Sequence, residues 1–188
     1  MSTDLQVSEK ELRWLSFYRA SELHGGLVLG HLALRVRDAD LMLNLTRHSA
    51  EEVVHSQLWA ETIRAVGGSP RPVRHTYQRL YAREIGPTSS LLRVLALTQV
   101  FEQRVVRHFM SHLRLPGTHP EVKKTLQRMV DEEASHLSWV KIWLDERASE
   151  GRDVAALMDE LRAVDERVYE ELRAEYDFPK AKDPAVRA

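Results

Sequence analysis

Glu51-Glu52-Val53-Val54-His55 returns 81 residues later as Glu132-Glu133-Ala134-Ser135-His136, the same acidic pair and histidine at the same spacing. On a helix, positions i and i+3 share a face about one turn apart. Glu52 with His55, and Glu133 with His136, therefore each aim a carboxylate and an imidazole at one point. One such pair is ordinary surface chemistry in most proteins. These two gain weight from the apolar pattern around them. From Leu41 a helical stripe runs through Leu45, His48, Glu52, His55, Trp59 and Val66, and from Val122 another runs through Leu126, Met129, Glu133, His136, Val140 and Trp143. Both turn polar in the middle of a face that should be buried.

Working outward, two more helices show the same interruption. Ser8 and Glu11 form a capping-box spacing, after which Leu15, Tyr18, Glu22, Gly25 or Gly26, Leu29, Ala33 and Val36 recur at helical period, predicting a helix over residues 9–37. A short turn at Asp38-Ala39-Asp40 leads into the helix that carries His55, which stops at Gly67-Gly68-Ser69-Pro70. Residues 67–90 form a long connection rich in Pro and Gly, with a short helix expected over 77–83. Thr88, Ser89 or Ser90 caps the next helix, whose stripe Leu95, Gln99, Glu102, Val105, Phe109 and Leu113 contains the second lone carboxylate. Thr118-His119-Pro120-Glu121 is another capping-box spacing, with Thr118 as the expected cap. A fifth amphipathic helix is expected over 154–176, and Phe178-Pro179 onward reads as a frayed tail, giving one domain over residues 1–178 and a polar tail over 179–188.

The chain is thus two helical hairpins joined by a crossover, and each half supplies a lone Glu and a Glu-x-x-His. Glu22 precedes Glu52 by 30 residues and Glu102 precedes Glu133 by 31. All six ligand-type residues would meet at one level. Four buried carboxylates left unpaired would cost several kcal/mol each, more than a small domain can absorb, and a pair of divalent cations would neutralise them.

Composition narrows the chemistry. With 43% hydrophobic and 29% charged residues, 8 Gly and 7 Pro, the chain suits an all-α protein. Its formal net charge of -1 gives no field for nucleic acid. The absence of Cys excludes thiolate metal sites, iron-sulfur ligation and a thiol nucleophile. No signal core or run of 18 apolar residues occurs, so a cytoplasmic protein without a membrane partner is expected.

These residues resemble the ferritin-like di-metal carboxylate superfamily, which includes bacterioferritins, rubrerythrins, manganese catalases and di-iron oxidases and oxygenases. The resemblance covers about residues 9–148 and implies a ferritin-like four-helix bundle with one long crossover and an additional C-terminal helix. It implies metal ligation by Glu22, Glu52, His55, Glu102, Glu133 and His136. Glu52 and Glu133 would bridge, Glu22 and His55 would complete one metal, and Glu102 and His136 the other. Glu51 and Glu132 would hold the outer N–H of the opposite helix's histidine, and Tyr18 and His48, each one turn before a ligand, would stand just behind the site. A Cys-rich rubrerythrin module is absent.

An N and O ligand set suits iron first and manganese second. The expected cofactor is two iron ions, and the expected function an oxidoreductase that activates O2 or peroxide, with a small organic substrate, an external reductant and a homodimeric assembly as further partners. A ferroxidase or iron-storage cage and a manganese catalase are the alternatives. Gly25, Gly26 and Gly30 leave room beside Glu22 for either a substrate or close helix packing.

Overall fold

A computed structural model describes residues 7–87 and 90–179. It is all-α, with no strand among the described residues. Six helices follow in order: α1 Glu9–Ala33, α2 Ala39–Ala65, α3 Tyr77–Ile85, α4 Leu91–Leu113, α5 Pro120–Ser149 and α6 Val154–Tyr176. None is long and apolar enough to cross a membrane.

Local chemistry sets the boundaries. Ser8 accepts from the Glu11 amide and starts α1. This helix ends at Ala33, short of the expected residue 37, with Leu34 closing it, and Asp38 caps α2 by accepting from the Leu41 amide at 2.8 Å. Asp38 holds the extended backbone of a capping residue, φ -70 and ψ 123. Ser90 caps α4 through the Arg93 amide, while Thr88 and Ser89, the other expected caps, lie outside the described residues. The cap of α5 is His119 instead of Thr118, with Pro120 in the first turn. The Thr118 hydroxyl donates to the His112 carbonyl, closing the end of α4.

Short connections make α1 with α2, and α4 with α5, antiparallel hairpins, while residues 66–87 return along the bundle toward the start of α4. Two apolar clusters result. One joins Leu15, Trp59 and Ile63 to Phe109, Val122 and Leu126. The other joins Leu29, Leu41 and Leu45 to Leu95, Val140 and Leu144. The interrupted middles of the four stripes lie between them, so the polar residues form a layer sealed above and below by hydrocarbon.

α6 packs against α4 and the crossover helix α3. Its buried Asp165 accepts from the Tyr81 hydroxyl at 2.6 Å and from Arg104 Nε at 2.8 Å, tying α3, α4 and α6 together. Phe178 is 3% exposed and corrects the expectation of fraying from that residue. Its ring sits 5.0 Å from Phe17 and 4.2 Å from His108, and the Trp14 indole holds the adjoining turn by donating to the Tyr176 carbonyl at 2.8 Å.

Candidate metal centre

All six expected ligand residues are at most 4% exposed and meet at one level. Glu22 comes from α1, Glu52 and His55 from α2, Glu102 from α4, and Glu133 and His136 from α5. Two overlapping groups of metal-ligating atoms result, each with its atoms within 4.8 Å of one another: Glu22, Glu52, His55 and Glu133, and His48, Glu52, Glu102 and His136. Glu52 belongs to both. Glu133 spans them as well, 3.5 Å from His55 Nδ1 and 2.9 Å from His136 Nδ1. The first group thus holds Glu22 with His55 and the second Glu102 with His136.

Each of these histidines is held from outside by the other hairpin. His55 Nε2 is 2.9 Å from Glu132, and His136 Nε2 is 2.9 Å from Glu51. An imidazole that gives its Nε2 proton to a carboxylate keeps the Nδ1 lone pair for the interior, the orientation a metal ligand needs.

His48 is placed in the layer itself, closer than expected. Its Nε2 lies 3.2 Å from Glu52 and 3.4 Å from Glu102, and its ring stacks on His136 at 3.7 Å. Distance alone admits it as a seventh ligand. Its tautomer argues otherwise, because the Trp139 indole can only donate and points at His48 Nδ1 at 3.3 Å. An accepting Nδ1 leaves the proton on Nε2, close to Glu52 and Glu102 but without a hydrogen bond to either. The signal that placed Trp139 there is 91 residues away in the chain and has no counterpart in helical period. Tyr18 is placed away from the two groups: its hydroxyl meets His112 Nδ1 at 3.2 Å, and His112 Nε2 meets Glu11 at 3.1 Å.

Without metal the layer balances its charge with protons. Burial and the nearby Glu52 and Glu133 charges push Glu22 and Glu102 well above the carboxylate range. Burial also works against ionisation of Glu52 and Glu133, but the histidines close to them outweigh it, holding Glu52 low and Glu133 at about 2. Burial would lower His55 and His136 likewise; contacts with Glu133 dominate, raising His55 and pushing His136 up to about 10. Ionised Glu52 and Glu133 then face an imidazolium at His136.

That balance leaves bonds unmade. His48 Nε2, Glu52 Oε1, His55 Nδ1 and Glu133 Oε1 are buried without a hydrogen-bond partner. They stand close together but misaligned for hydrogen bonds, and such concentrated dissatisfaction calls for an ion or another group. A divalent cation pair fits this donor set: it would use the inward Nδ1 lone pairs and the carboxylates, and replace the protons.

A cavity of about 280 Å³ abuts the layer, reaching Glu52 and Glu102 between α1, α3 and α4. The glycines divide between the two expected roles. A methyl at Gly26 would come within 3.0 Å of the Ser49 carbonyl and of Val53, so Gly26 permits close packing of α1 on α2, reinforced by Ser49 Oγ donating to the Gly26 carbonyl. Gly25 faces Glu52 and Gln78 and lines the cavity. No family model, curated protein or solved structure matches the chain.

Proposed function

We propose that the chain is a ferritin-like dinuclear protein whose centre takes two iron ions, with manganese as the competing metal, and acts as an oxidoreductase on O2 or peroxide. The observation that carries this reading is the pair of overlapping buried groups sharing Glu52, with partnerless polar atoms in both. Two metal ions bound together supply a paired electron reservoir and Lewis acidity for oxygen chemistry. Glu22 and His55 would hold one ion and Glu102 and His136 the other, with Glu52 and Glu133 between. Glu51 and Glu132 keep the histidines in the ligating tautomer, and the two apolar clusters exclude bulk water from the layer. An external reductant would return the electrons.

The cavity against Glu52 and Glu102 favours oxidation of an organic molecule over iron storage, which needs no such space. The deciding experiment is an anaerobic Fe(II) titration of the purified chain followed by O2. Two irons per chain and a visible absorption band on oxygenation are expected. A chain that takes up no stoichiometric iron, manganese or zinc, and gains no thermal stability from them, would be a helical module held by structural ion pairs instead.

A further inference from the structure

Outside the metal layer, a buried relay of three side chains joins α1 to α4. A carboxylate can only accept, so the contact of Glu11 with His112 Nε2 at 3.1 Å places the imidazole proton on Nε2. His112 Nδ1 then accepts from the Tyr18 hydroxyl at 3.2 Å. Tyr18 and His112 are at most 2% exposed and Glu11 is 8% exposed, so the relay runs from a sealed phenol toward the surface. Of the chain's five tyrosines, only Tyr18 meets an imidazole in this way among the described residues. Tyr81 donates to Asp165, which Arg104 already engages, and Tyr176 donates to the His75 carbonyl, which takes no proton. The Tyr77 and Tyr169 hydroxyls are buried without partners.

Tyr18 does not line the cavity beside the layer, so acid-base work on a molecule held there is not its use. Its other neighbour is aromatic. The Trp59 ring lies 5.1 Å from the Tyr18 ring and is itself fully buried. Trp59 also reaches the metal layer: burial and the Glu52 and Glu133 charges push Glu22 up, and the Trp59 indole is near enough to oppose them, without an aligned hydrogen bond. Burial, with Tyr169 and Glu11 nearby, holds Tyr18 well above the ordinary phenol range, so it is not present as a tyrosinate. Such a phenol gives up an electron readily only if its proton leaves at the same time, and His112 Nδ1 is a base within transfer distance.

We propose that Tyr18 is a redox-active residue, passing one electron through Trp59 toward the metal layer while its phenolic proton crosses to His112 Nδ1. One O–H bond breaks at Tyr18, one N–H bond forms at His112, and a one-electron oxidant is reduced. The products are a neutral tyrosyl radical and an imidazolium held by Glu11. That the oxidant is the metal pair rests on the metal-centre reading; that Tyr18 releases electron and proton together does not.

The test has two arms on the full chain. In the first, the metal-free chain is oxidised by flash photolysis with tris(bipyridyl)ruthenium(II) and persulfate; in the second, the chain loaded with Fe(II) is exposed to O2. Electron paramagnetic resonance should find a neutral tyrosyl radical in both, absent from Tyr18→Phe and slower to form in heavy water. His112→Gln decides between redox and merely structural roles, and stands alone should Tyr18→Phe fail to fold. Its amide can still accept from Tyr18 and donate to Glu11 but is no base, so radical formation should slow by about 100-fold while the fold is kept. Trp59→Phe, a ring harder to oxidise, should slow the signal in the O2 arm. A radical that persists in Tyr18→Phe, or forms as fast in His112→Gln, would overturn the proposal. Two bound irons with no Tyr18 radical in either arm sink only this inference, and a Tyr18 radical under photolysis in a chain that binds no metal sinks only the metal reading.

Discussion

His55 Nε2 stands 2.9 Å from the carboxylate of Glu132, a residue of the other helical hairpin. The reciprocal pair, His136 with Glu51, has the same length. Each hairpin thus orients the histidine of its partner, and the two halves cannot shift along one another without misaiming both imidazoles. Arg128 in turn fixes Glu132, at 2.7 Å.

Glu132→Gln and Glu51→Gln should each weaken metal binding by about 10- to 100-fold, as loss of a carboxylate behind a ligating histidine does. Competition against a chelator with Zn(II) or Mn(II) measures this. Asp131→Asn, which alters an exposed partner of Gln127, is the control and should leave affinity unchanged.

His48→Ala tells a ligand from a neighbour of ligands. With the Trp139 indole on Nδ1 and the Nε2 proton close to Glu52 and Glu102, its loss should lower affinity while metal content stays at about two per chain. His136→Ala should reduce content to about one. Metal analysis that finds about one ion in His48→Ala would make His48 a ligand.

Stability of the metal-free chain should fall as the pH rises from about 6.5 toward 10. The imidazolium of His136, raised from 6.5 to about 10, contributes fully below 6.5 and its contribution disappears through 10. Glu22 and Glu102, raised above 4.5, act in the same direction, since the unfolded chain ionises them first. Glu133, lowered from 4.5 to about 2, contributes fully above 4.5 and loses that contribution as pH falls toward 2. Metal binding should show the opposite alkaline trend, because it displaces the proton of His136 and those that burial favours on Glu22 and Glu102. Thermal melts across pH, and proton release into weak buffer on adding Zn(II), check both. A metal-free melting temperature that climbs from pH 6.5 to 9 would contradict this account.

Gly26→Ala and Gly25→Ala should fail in different ways. At Gly26 the new methyl presses on the Ser49 carbonyl, which cannot rotate aside, and should cost about 1–3 kcal/mol of stability with metal content intact. At Gly25 it would sit 3.1 Å from Glu52 Oε2, so metal affinity should drop with a smaller change in melting temperature. Denaturant curves and metal titrations on the two variants distinguish the effects.

Helical period was enough to place four stripes and to show where polar residues interrupt them, because the core imposes that period on every helix it buries. Thus Glu22, Glu52, Glu102 and Glu133 can be picked out before any coordinates exist. Contacts between distant segments leave no such trace. Trp139 beside His48, Phe178 against His108, and Gln78 across from Gly25 depend on how helices are set against one another, and a single aromatic or amide carries no register. Capping spacings were ambiguous for a different reason: Thr118 had a second use, satisfying the His112 carbonyl, and His119 took its place.

Asp165 lies on the outermost helix and is absent from the cavity lining, yet the hydroxyl it accepts belongs to Tyr81, one of the residues that bound that space. The same carboxylate anchors Arg104, two positions beyond Glu102 on α4. α6 therefore works as a buttress: it braces the crossover helix against the bundle and so governs the bore of a chamber it never enters.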